Sequence, residues 1–192
     1  PFASYGTPKK GDFLYKDLNG DGVIDDNDKY AVGHGLAPRL TYGFSLGAEW
    51  NGFDFSCLFQ GNAGLQVYWQ DKFYMGYINY GDVINKEIAE GAWREGRTNA
   101  TYPRLLTGLN TLNAQPSDFW VQNKSYLRLK NVQIGYKIPK KLLQKLDISQ
   151  LRLYTSLENM LTFTSYKGID PEISGTTYPT MKQITVGVNV VF

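Results

Sequence analysis

Apolar and polar residues alternate on both sides of an Asn-Gly pair, in the stretch "RLTYGFSLGAEWNGFDFSCLFQ". Apolar side chains occupy the even positions up to Trp50 and the odd positions from Phe53 to Phe59. A period of two is that of a β-strand with one apolar face, and Asn-Gly between two such runs favours a two-residue type I′ turn. The pattern therefore predicts an antiparallel hairpin in which Trp50 lies opposite Phe53 and Phe44 opposite Phe59.

Three later stretches show the same alternation. In "SYLRLKNVQIGYKIP" the apolar phase slips by one residue near Lys130-Asn131, which predicts a β-bulge. The stretch "SQLRLYTSLENMLTF" places its leucines and Phe163 on odd positions. Together these runs predict an all-β fold with about five antiparallel strands. The last strand ends the chain, and its apolar face consists of Ile184, Val186, Val188, Val190 and Phe192.

The connections alternate between short and long. The Asn-Gly turn is minimal and "PKKLLQKLDISQ" is compact enough for one helical turn. Residues 61–124 form a long excursion, with a helix predicted around "DVINKEIAEGAW", and residues 164–181 form a long loop. Outer-membrane barrels alternate short periplasmic turns and long extracellular loops in this way. Because about five strands cannot close a barrel, we expect the other strands to lie outside this chain, with a soluble β-sandwich as the alternative.

Composition and charge exclude several classes of protein. Twenty Lys and Arg residues against 18 Asp and Glu residues give a net charge of +2, which argues against nucleic acid as the main partner. Cys57 is the only cysteine, so an internal disulfide framework is excluded. No run of eighteen apolar residues appears, which excludes a helical membrane span. The chain begins at Pro1 without a methionine or signal peptide, and we expect it to be a piece of a longer protein.

The stretch "DLNGDGVIDDND" has the spacing of a calcium loop. Counted from its first Asp, oxygen ligands fall at positions 1, 3, 5, 7, 9 and 12, and glycine falls at position 6. Asp replaces the usual bidentate Glu at the last position, and no pair of long amphipathic helices flanks the loop. Calcium is the predicted cofactor, with an Asx-rich turn that satisfies its own backbone as the alternative. The predicted ligands are Asp17, Asn19, Asp21, the Val23 carbonyl, Asp25 and Asp28.

Six stretches, in order over nearly the whole chain, carry a family resemblance: "YKDLNGDGVIDDND", "LTYGFSLGAEWNGFDFSCLFQG", "ATYPRL", "SDFWVQNKSYLRLKNVQIGY", "LRLYTSLENMLTFTSYKGIDPE" and "ITVGVNVVF". Together they resemble the C-terminal part of a SusC/RagA-type TonB-linked outer-membrane transporter. The resemblance implies the last strands of a large plugged barrel, of the 22-stranded class, in the bacterial outer membrane. Residues 1–36 are then an extracellular loop with the acidic motif, and residues 37–192 are one partial barrel domain.

The resemblance also implies a function and partners. Proteins of this type import glycans or peptides, with energy passed through TonB to an N-terminal plug that is missing here, and a SusD-like surface lipoprotein covers the barrel as a lid. The final strand is similar to the signal that the outer-membrane assembly machinery reads. A role in barrel closure and assembly would therefore fall on Ile184, Val186, Val188, Val190 and Phe192.

The sequence shows no catalytic constellation, and we expect the protein not to be an enzyme. The only histidine, His34, is predicted to be a loop residue, and residues 170–172 ("DPE") are predicted to form a solvated turn. Cys57 is expected to face lipid as a small apolar side chain. Arg104 and Arg128 are candidates for the lumen, since they lie on or near polar strand faces.

Aromatic residues of the long excursion are the substrate candidates, because sugar rings stack on aromatic faces. Packing of the excursion onto itself, or contact with the lid lipoprotein, is the alternative interpretation. A protein of another class also fits the pattern, namely a soluble secreted β-sandwich that binds carbohydrate in a calcium-dependent way. The substrate candidates are Tyr68, Trp69, Tyr74, Tyr77, Tyr80 and Trp93.

Overall fold

A computed structural model describes residues 2–3, 5–33, 35, 37–68, 77–78, 84–107, 112–144, 147–173 and 177–192. These residues contain the α-helices α1 (Lys86–Gly91) and α2 (Lys140–Leu143), and residues Asp26–Asp28 and Asp118–Trp120 form 3-10 helices. Among these residues, no helix is long and apolar enough to cross a membrane. The strands are β1 (Phe2–Ala3), β2 (Val23–Ile24), β3 (Leu40–Trp50), β4 (Phe53–Ala63), β5 (Gln66–Tyr68), β6 (Tyr77–Ile78), β7 (Leu106–Thr107), β8 (Val121–Asn123), β9 (Tyr126–Lys137), β10 (Gln150–Thr164) and β11 (Gln183–Val191).

The five long strands form one antiparallel sheet in the order β11-β10-β9-β4-β3. Neighbours in this sheet are also neighbours in sequence, apart from the short strands of the excursion that separates β4 from β9. Within the described residues, β3 and β11 are the two edges of the sheet. The predicted all-β fold with a partial antiparallel sheet is confirmed.

Strands β3 and β4 form the predicted hairpin. Trp50 pairs with Phe53 and Phe44 pairs with Phe59, as the alternation predicts. Asn51 and Gly52 have φ of 47° and 89°, and two consecutive positive values are those of a type I′ turn. A local sequence pattern therefore predicts the register of the whole hairpin.

Two bulges shift the register in the middle of the sheet. Leu58 and Phe59 are consecutive on β4, but they pair with Asn131 and Leu129 on β9. Lys130 therefore has no partner on β4. The bulge predicted near Lys130-Asn131 is confirmed. A second bulge lies on β10, between Glu158 and Leu161, where Asn159 adopts a left-handed φ of 54°. The sequence did not predict this second bulge.

Both predicted helical segments are confirmed. Helix α1 lies inside "DVINKEIAEGAW", and the side chain of Asn85 caps it by accepting a hydrogen bond from the Glu87 N–H at 2.9 Å. Helix α2 lies inside "PKKLLQKLDISQ" and forms the compact connection between β9 and β10.

Contacts divide the chain into two compact units, which we call unit 1 (Pro1–Gly33 and Tyr68–Val121) and unit 2 (His34–Val67 and Gln122–Phe192). Unit 2 contains the five-stranded sheet. Unit 1 combines the N-terminal segment with most of the long excursion, around the buried side chains of Trp120 and Ile88. The predicted domain boundary at residue 36 differs from this division and stays a prediction.

Candidate functional site

The two faces of the five-stranded sheet differ in chemistry. Between the Asn-Gly turn and the two bulges the register is unbroken, so residues of one kind line up in rows across all five strands. On one face, apolar rows run through Trp50, Phe53, Tyr136, Leu153 and Val188, and through Leu46, Cys57, Val132, Leu157 and Ile184. On the other face, the rows are polar or small and run through Glu49, Asp54, Gly135, Tyr154 and Gly187, and through Gly47, Ser56, Gln133, Ser156 and Thr185.

The apolar face is exposed. Trp50 and Val186 are each 77% exposed, and Phe192 is 86% exposed. Cys57 lies on this face as predicted, but its small side chain is buried in the row between Leu46 and Val132. A contiguous apolar surface of this kind marks contact with another apolar phase rather than with water.

Aromatic side chains lie towards both ends of the strands on this face. Near the Asn-Gly turn, the rings of Phe53 and Tyr136 are 4.5 Å apart, and Trp50 is the next residue in the same row. Phe44 and Phe59 stack nearer the middle of the hairpin, with ring centroids 4.9 Å apart. At the end of β10 away from the Asn-Gly turn, Phe163 is 58% exposed. Aromatic girdles at both membrane interfaces are typical of transmembrane β-barrels.

Ion pairs cross the strands on the opposite, polar face. The guanidinium of Arg152 makes a bidentate contact with Asp54, with Nε 2.9 Å from Oδ1, and its Nη2 donates to Gln133 Oε1 at 3.0 Å. Gly135 lies between the partner strands, and a Cβ there would come within 2.6 Å of both Arg152 Nε and Asp54 Oδ1. A larger residue at position 135 would therefore force this ion pair to shift from its position across β9.

A second ion-pair network fixes the long loop after β10 onto β9. Arg128 of β9 donates from Nη2 to Asp170 Oδ1 at 2.8 Å and from Nη1 to Glu172 Oε2 at 2.6 Å. Lys130 Nζ and the Tyr126 hydroxyl also donate to Glu172, at 2.8 and 2.7 Å. The side chains of Arg128 and Asp170 are each only 5% exposed. We call these five residues the loop clamp.

The predicted solvated turn at residues 170–172 is wrong, because the loop clamp buries its carboxylates against β9. Asp170 also accepts hydrogen bonds from the backbone N–H groups of Glu172 and Thr180, at 2.9 and 3.0 Å. Burial alone would raise the pKa of Asp170, but these hydrogen bonds and that from Arg128 hold it below its ordinary value. Asp170 is therefore an ionised structural residue.

In unit 1, Arg104 binds Asp12, whereas the sequence suggested a place in the lumen. Its Nε and Nη2 donate to the two carboxylate oxygens of Asp12 at 2.7 and 2.9 Å. The buried side chain of Asn113 donates to Asp12 Oδ1 at 2.9 Å and accepts from the Phe13 N–H at 2.9 Å. These bonds join the N-terminal segment to residues about a hundred positions later in sequence, within one compact unit.

The predicted calcium loop is held by its own backbone in this structure. Asp17 accepts from the N–H groups of Gly20 and Gly22, at 2.6 and 2.9 Å. Asp28 accepts from the Leu18 and Asp25 N–H groups, at 2.7 and 2.8 Å. Within the part of the chain that the structure describes, no group of three or more acidic, His or Cys side chains has a geometry that could hold a metal ion. The remaining predicted ligands are Asn19, Asp21 and Asp25, which accept from nearby backbone N–H groups, and Val23, which lies in β2.

Two of the predicted substrate residues are described with their side chains. Tyr68 lines a cavity of about 580 Å³ in unit 1. Trp93 packs directly on the backbone of Gly11, where a Cβ would come within 2.3 Å of its ring, so it takes part in the packing of unit 1. Only the backbone of Tyr77 is described, in β6. The predictions for His34, Trp69, Tyr74 and Tyr80 lie outside the described residues.

Strand β11 carries the residues predicted to close the barrel. It pairs with β10 on one side only in the described part of the chain, which leaves its outer edge open to another strand. The side chains of Val186 and Val188 are 77% and 59% exposed on the apolar face. The other predicted closure residues on this edge are Ile184 and Val190, in the strand, and Phe192, just beyond it.

Curated relatives match nearly the whole chain. The TonB-dependent receptor P3 of Formosa agariphila is 31% identical over 203 residues, which cover 97% of this chain and 20% of that receptor. The TonB-dependent receptor SusC of Bacteroides thetaiotaomicron is 27% identical over 192 residues, which cover 93% of this chain and 17% of SusC. No family model matches the chain. The chain therefore spans about a fifth of the length of the curated relatives it matches.

Solved structures also match most of the chain. The RagAB peptide transporter superposes with a TM-score of 0.70 and 29% identity, over 87% of this chain and 19% of that chain. The RagAB peptide importer in its open-open state superposes with a TM-score of 0.64 and 32% identity, over 82% of this chain and 17% of that chain.

A sheet with an exposed apolar face, aromatic ends and an ion-paired opposite face is part of a transmembrane β-barrel. The relatives show which class of β-barrel protein this chain resembles. The chain is homologous to the SusC/RagA type of TonB-dependent receptors over nearly its whole length, and the predicted resemblance is confirmed. Proteins of this type are outer-membrane β-barrels, so the predicted location in the bacterial outer membrane is confirmed as well.

Proposed function

We propose that the full-length protein is an energy-coupled importer of glycans or peptides in the outer membrane. The observation that supports it most strongly is the five-stranded sheet, whose apolar face is exposed and whose opposite face carries ion pairs, in a chain homologous to TonB-dependent receptors. The named relatives are receptors and a peptide importer, which favours transport over catalysis. We therefore also propose that the protein is not an enzyme.

The proposed mechanism assigns a role to each surface of the sheet. The apolar face contacts the hydrocarbon of the outer membrane, and the polar face lines the lumen, where the Arg152–Asp54 pair neutralises its own charges. Energy would reach the barrel from TonB through an N-terminal plug in the part of the protein beyond this chain. A SusD-like lipoprotein would cover the extracellular side, where the loop clamp fixes the loop between β10 and β11.

Deletion of the encoding gene tests the proposed import. A strain without the receptor is expected to lose growth on one polymeric nutrient, a glycan or a protein digest, and to keep normal growth on the corresponding monosaccharide or amino acids. Monomers cross the outer membrane through general porins, so they serve as the matched control. Unchanged growth of the deletion strain on every glycan and peptide tested would contradict the proposal.

We also propose that the acidic loop binds calcium weakly, as extracellular modules do. Its support is the ligand spacing. In this structure the Asp17 and Asp28 carboxylates accept backbone N–H groups, so calcium would have to draw the predicted ligands together. With a dissociation constant of about 10⁻⁴–10⁻³ M, 10 mM calcium is expected to slow tryptic cleavage at Lys16 and Lys29 of the full-length receptor by about ten- to a hundredfold. The cleavage rate in calcium and in chelator is the measurement.

The matched variants for the calcium test lie in the same loop. Asp21→Ala removes a predicted ligand and is expected to abolish the protection by calcium. Asp26 lies outside the predicted ligand set, and its carboxylate binds Tyr5 and Lys29. Asp26→Ala should therefore leave the protection by calcium in place. Equal cleavage of the unmodified receptor with calcium and with chelator would contradict calcium binding by the acidic loop.

A further inference from the structure

The short connection between β9 and β10 lies at the aromatic end of the apolar face. Lys137, the last residue of β9, donates its N–H to the Gly52 carbonyl of the Asn-Gly turn at 2.7 Å. The preceding residue, Tyr136, pairs with Phe53 in an apolar row. Helix α2 begins at Lys140, so its start lies within about 14 Å of this row.

The aromatic row indicates how deep α2 lies in the membrane. Aromatic side chains on the outer face of a β-barrel are concentrated at the membrane interface. The interfacial region on each side of the hydrocarbon core is about 5–8 Å thick, and long lysine side chains extend into it from just outside. Because the connection between β9 and β10 is short, it belongs to the periplasmic side of the barrel. Helix α2 therefore lies next to the headgroups of the periplasmic leaflet.

Helix α2 presents both an apolar and two cationic side chains to its surroundings. Leu143 is buried, whereas its neighbour Leu142 is 68% exposed. Lys140 and Lys141 are exposed as well. An apolar side chain beside lysines is typical of an element that lies in a membrane interface, where the apolar group meets acyl chains and the cations meet anionic headgroups.

The two lysines of α2 are free to bind an anion. The neighbouring charges are already paired, since Glu49 lies 3.4 Å from Lys137 and Asp54 binds Arg152. The lysines of α2 form no ion pair with any residue that the structure describes. In sequence, the stretch from residue 138 to 149 contains three lysines and one aspartate. The connection therefore carries an excess of positive charge.

We propose that α2 binds anionic phospholipid headgroups of the periplasmic leaflet through Lys140 and Lys141, while Leu142 contacts the acyl chains. This surface continues the apolar face of the sheet, and its charge is complementary to that of a lipid such as phosphatidylglycerol. The inference goes beyond import, because it concerns which lipids surround the barrel.

Quenching of a fluorophore beside α2 measures which lipids contact it. A bimane label is attached at Gln144→Cys in a cysteine-free full-length receptor that includes Cys57→Ser. The receptor is placed in phosphatidylcholine vesicles with an equal small fraction of doxyl-labelled phosphatidylglycerol or doxyl-labelled phosphatidylcholine, present in both leaflets. We expect phosphatidylglycerol to be enriched at least fivefold over phosphatidylcholine around the label, because one cation near an anionic headgroup already strengthens binding about fivefold.

Two variants separate the contributions of charge and apolar contact. Lys140→Gln together with Lys141→Gln is expected to lower the enrichment of phosphatidylglycerol at least fivefold and to leave quenching by phosphatidylcholine in place. Leu142→Ser is expected to reduce quenching by both lipids, because α2 then loses its contact with the acyl chains.

The matched control is the other pair of adjacent exposed lysines, Lys9 and Lys10 in unit 1. Lys9→Gln together with Lys10→Gln changes the net charge by the same amount and should keep the enrichment. Equal quenching by both lipids in the unmodified receptor, no quenching by either, or equal loss of enrichment in both lysine variants would each overturn the proposal. None of these results bears on the growth test of import, so the two proposals fail separately.

Discussion

Val186→Arg in the full-length receptor is expected to reduce the folded protein in the outer membrane at least tenfold. Val186 lies near the middle of β11 on the apolar face and is 77% exposed there. Arginine on the lipid face of a transmembrane strand costs about 2–4 kcal/mol near the bilayer midplane. The amount of heat-modifiable, folded barrel in the outer-membrane fraction is the measurement.

The matched control lies on the other face of the same strand. Asn189 is exposed and lies in a polar row, where its backbone register partner is Arg152 of β10. Asn189→Arg adds the same side chain to this face of β11. It is expected to leave the outer-membrane level within about twofold of normal, because a lumen-facing charge stays solvated. A normal level of Val186→Arg, or equal loss in both variants, would show that the apolar face of β11 does not contact lipid.

Arg128→Met is expected to release the loop between β10 and β11. Arg128 is buried and pairs with both Asp170 and Glu172, so its removal leaves Asp170 buried without its cation, whereas Glu172 keeps Lys130. Breaking a buried pair in this way costs about 3–5 kcal/mol. Protease cleavage within residues 165–182 of the detergent-solubilised receptor should become at least tenfold faster.

Lys137→Met is the matched control for the loop clamp. Lys137 also pairs with a carboxylate, but its partner Glu49 is 3.4 Å away and both side chains are largely exposed. Such a pair contributes about 0–1 kcal/mol, so cleavage of the loop should stay close to the normal rate. A protected loop in Arg128→Met would contradict the stabilising role of the clamp.

The loop clamp also predicts a pH dependence. Because the pKa of Asp170 is held below its ordinary value, its contribution is fully present above the ordinary Asp pKa of about 3.9 and is lost as the pH falls through the lower, folded value. Cleavage of the loop by an acid-active protease should therefore accelerate only below about pH 4. In Arg128→Met, burial without the guanidinium favours the protonated form of Asp170, so acid should slow the cleavage, and at a higher pH than the range in which it accelerates cleavage of the unmodified receptor.

Local patterns predicted most of the sheet, since a period of two and an Asn-Gly turn fix both the face and the register of a hairpin. The bulge at Lys130 was visible because one extra residue shifts the apolar phase. The bulge at Asn159 was not, because Leu157 and Leu161 stay on the same face and the alternation continues through it. Relative to β4, strand β9 carries one extra residue at the bulge and β10 carries two. The alternation of apolar and polar residues therefore shifts in β9 and is unchanged in β10.

The polar sites depended on contacts between distant segments, which alternation does not specify. Arg128 and Asp170 are 42 positions apart, and the "DPE" turn carries no signal of the cation that buries it. Arg152 and Asp54 were predictable in part, because both fall on polar strand positions. The unit 1 cavity was not predictable, since it forms where the N-terminal segment meets residues from both ends of the long excursion.

A nitroxide scan of β11 tests most directly whether this sheet faces lipid. Single cysteines at residues 184–191, in a cysteine-free full-length receptor that includes Cys57→Ser, would carry the spin label in liposomes. We expect access to lipid-soluble oxygen to peak at Ile184, Val186, Val188 and Val190, and access to a water-soluble nickel chelate to peak at the positions between them. Equal access of the chelate to both sets of positions would contradict a membrane-spanning strand.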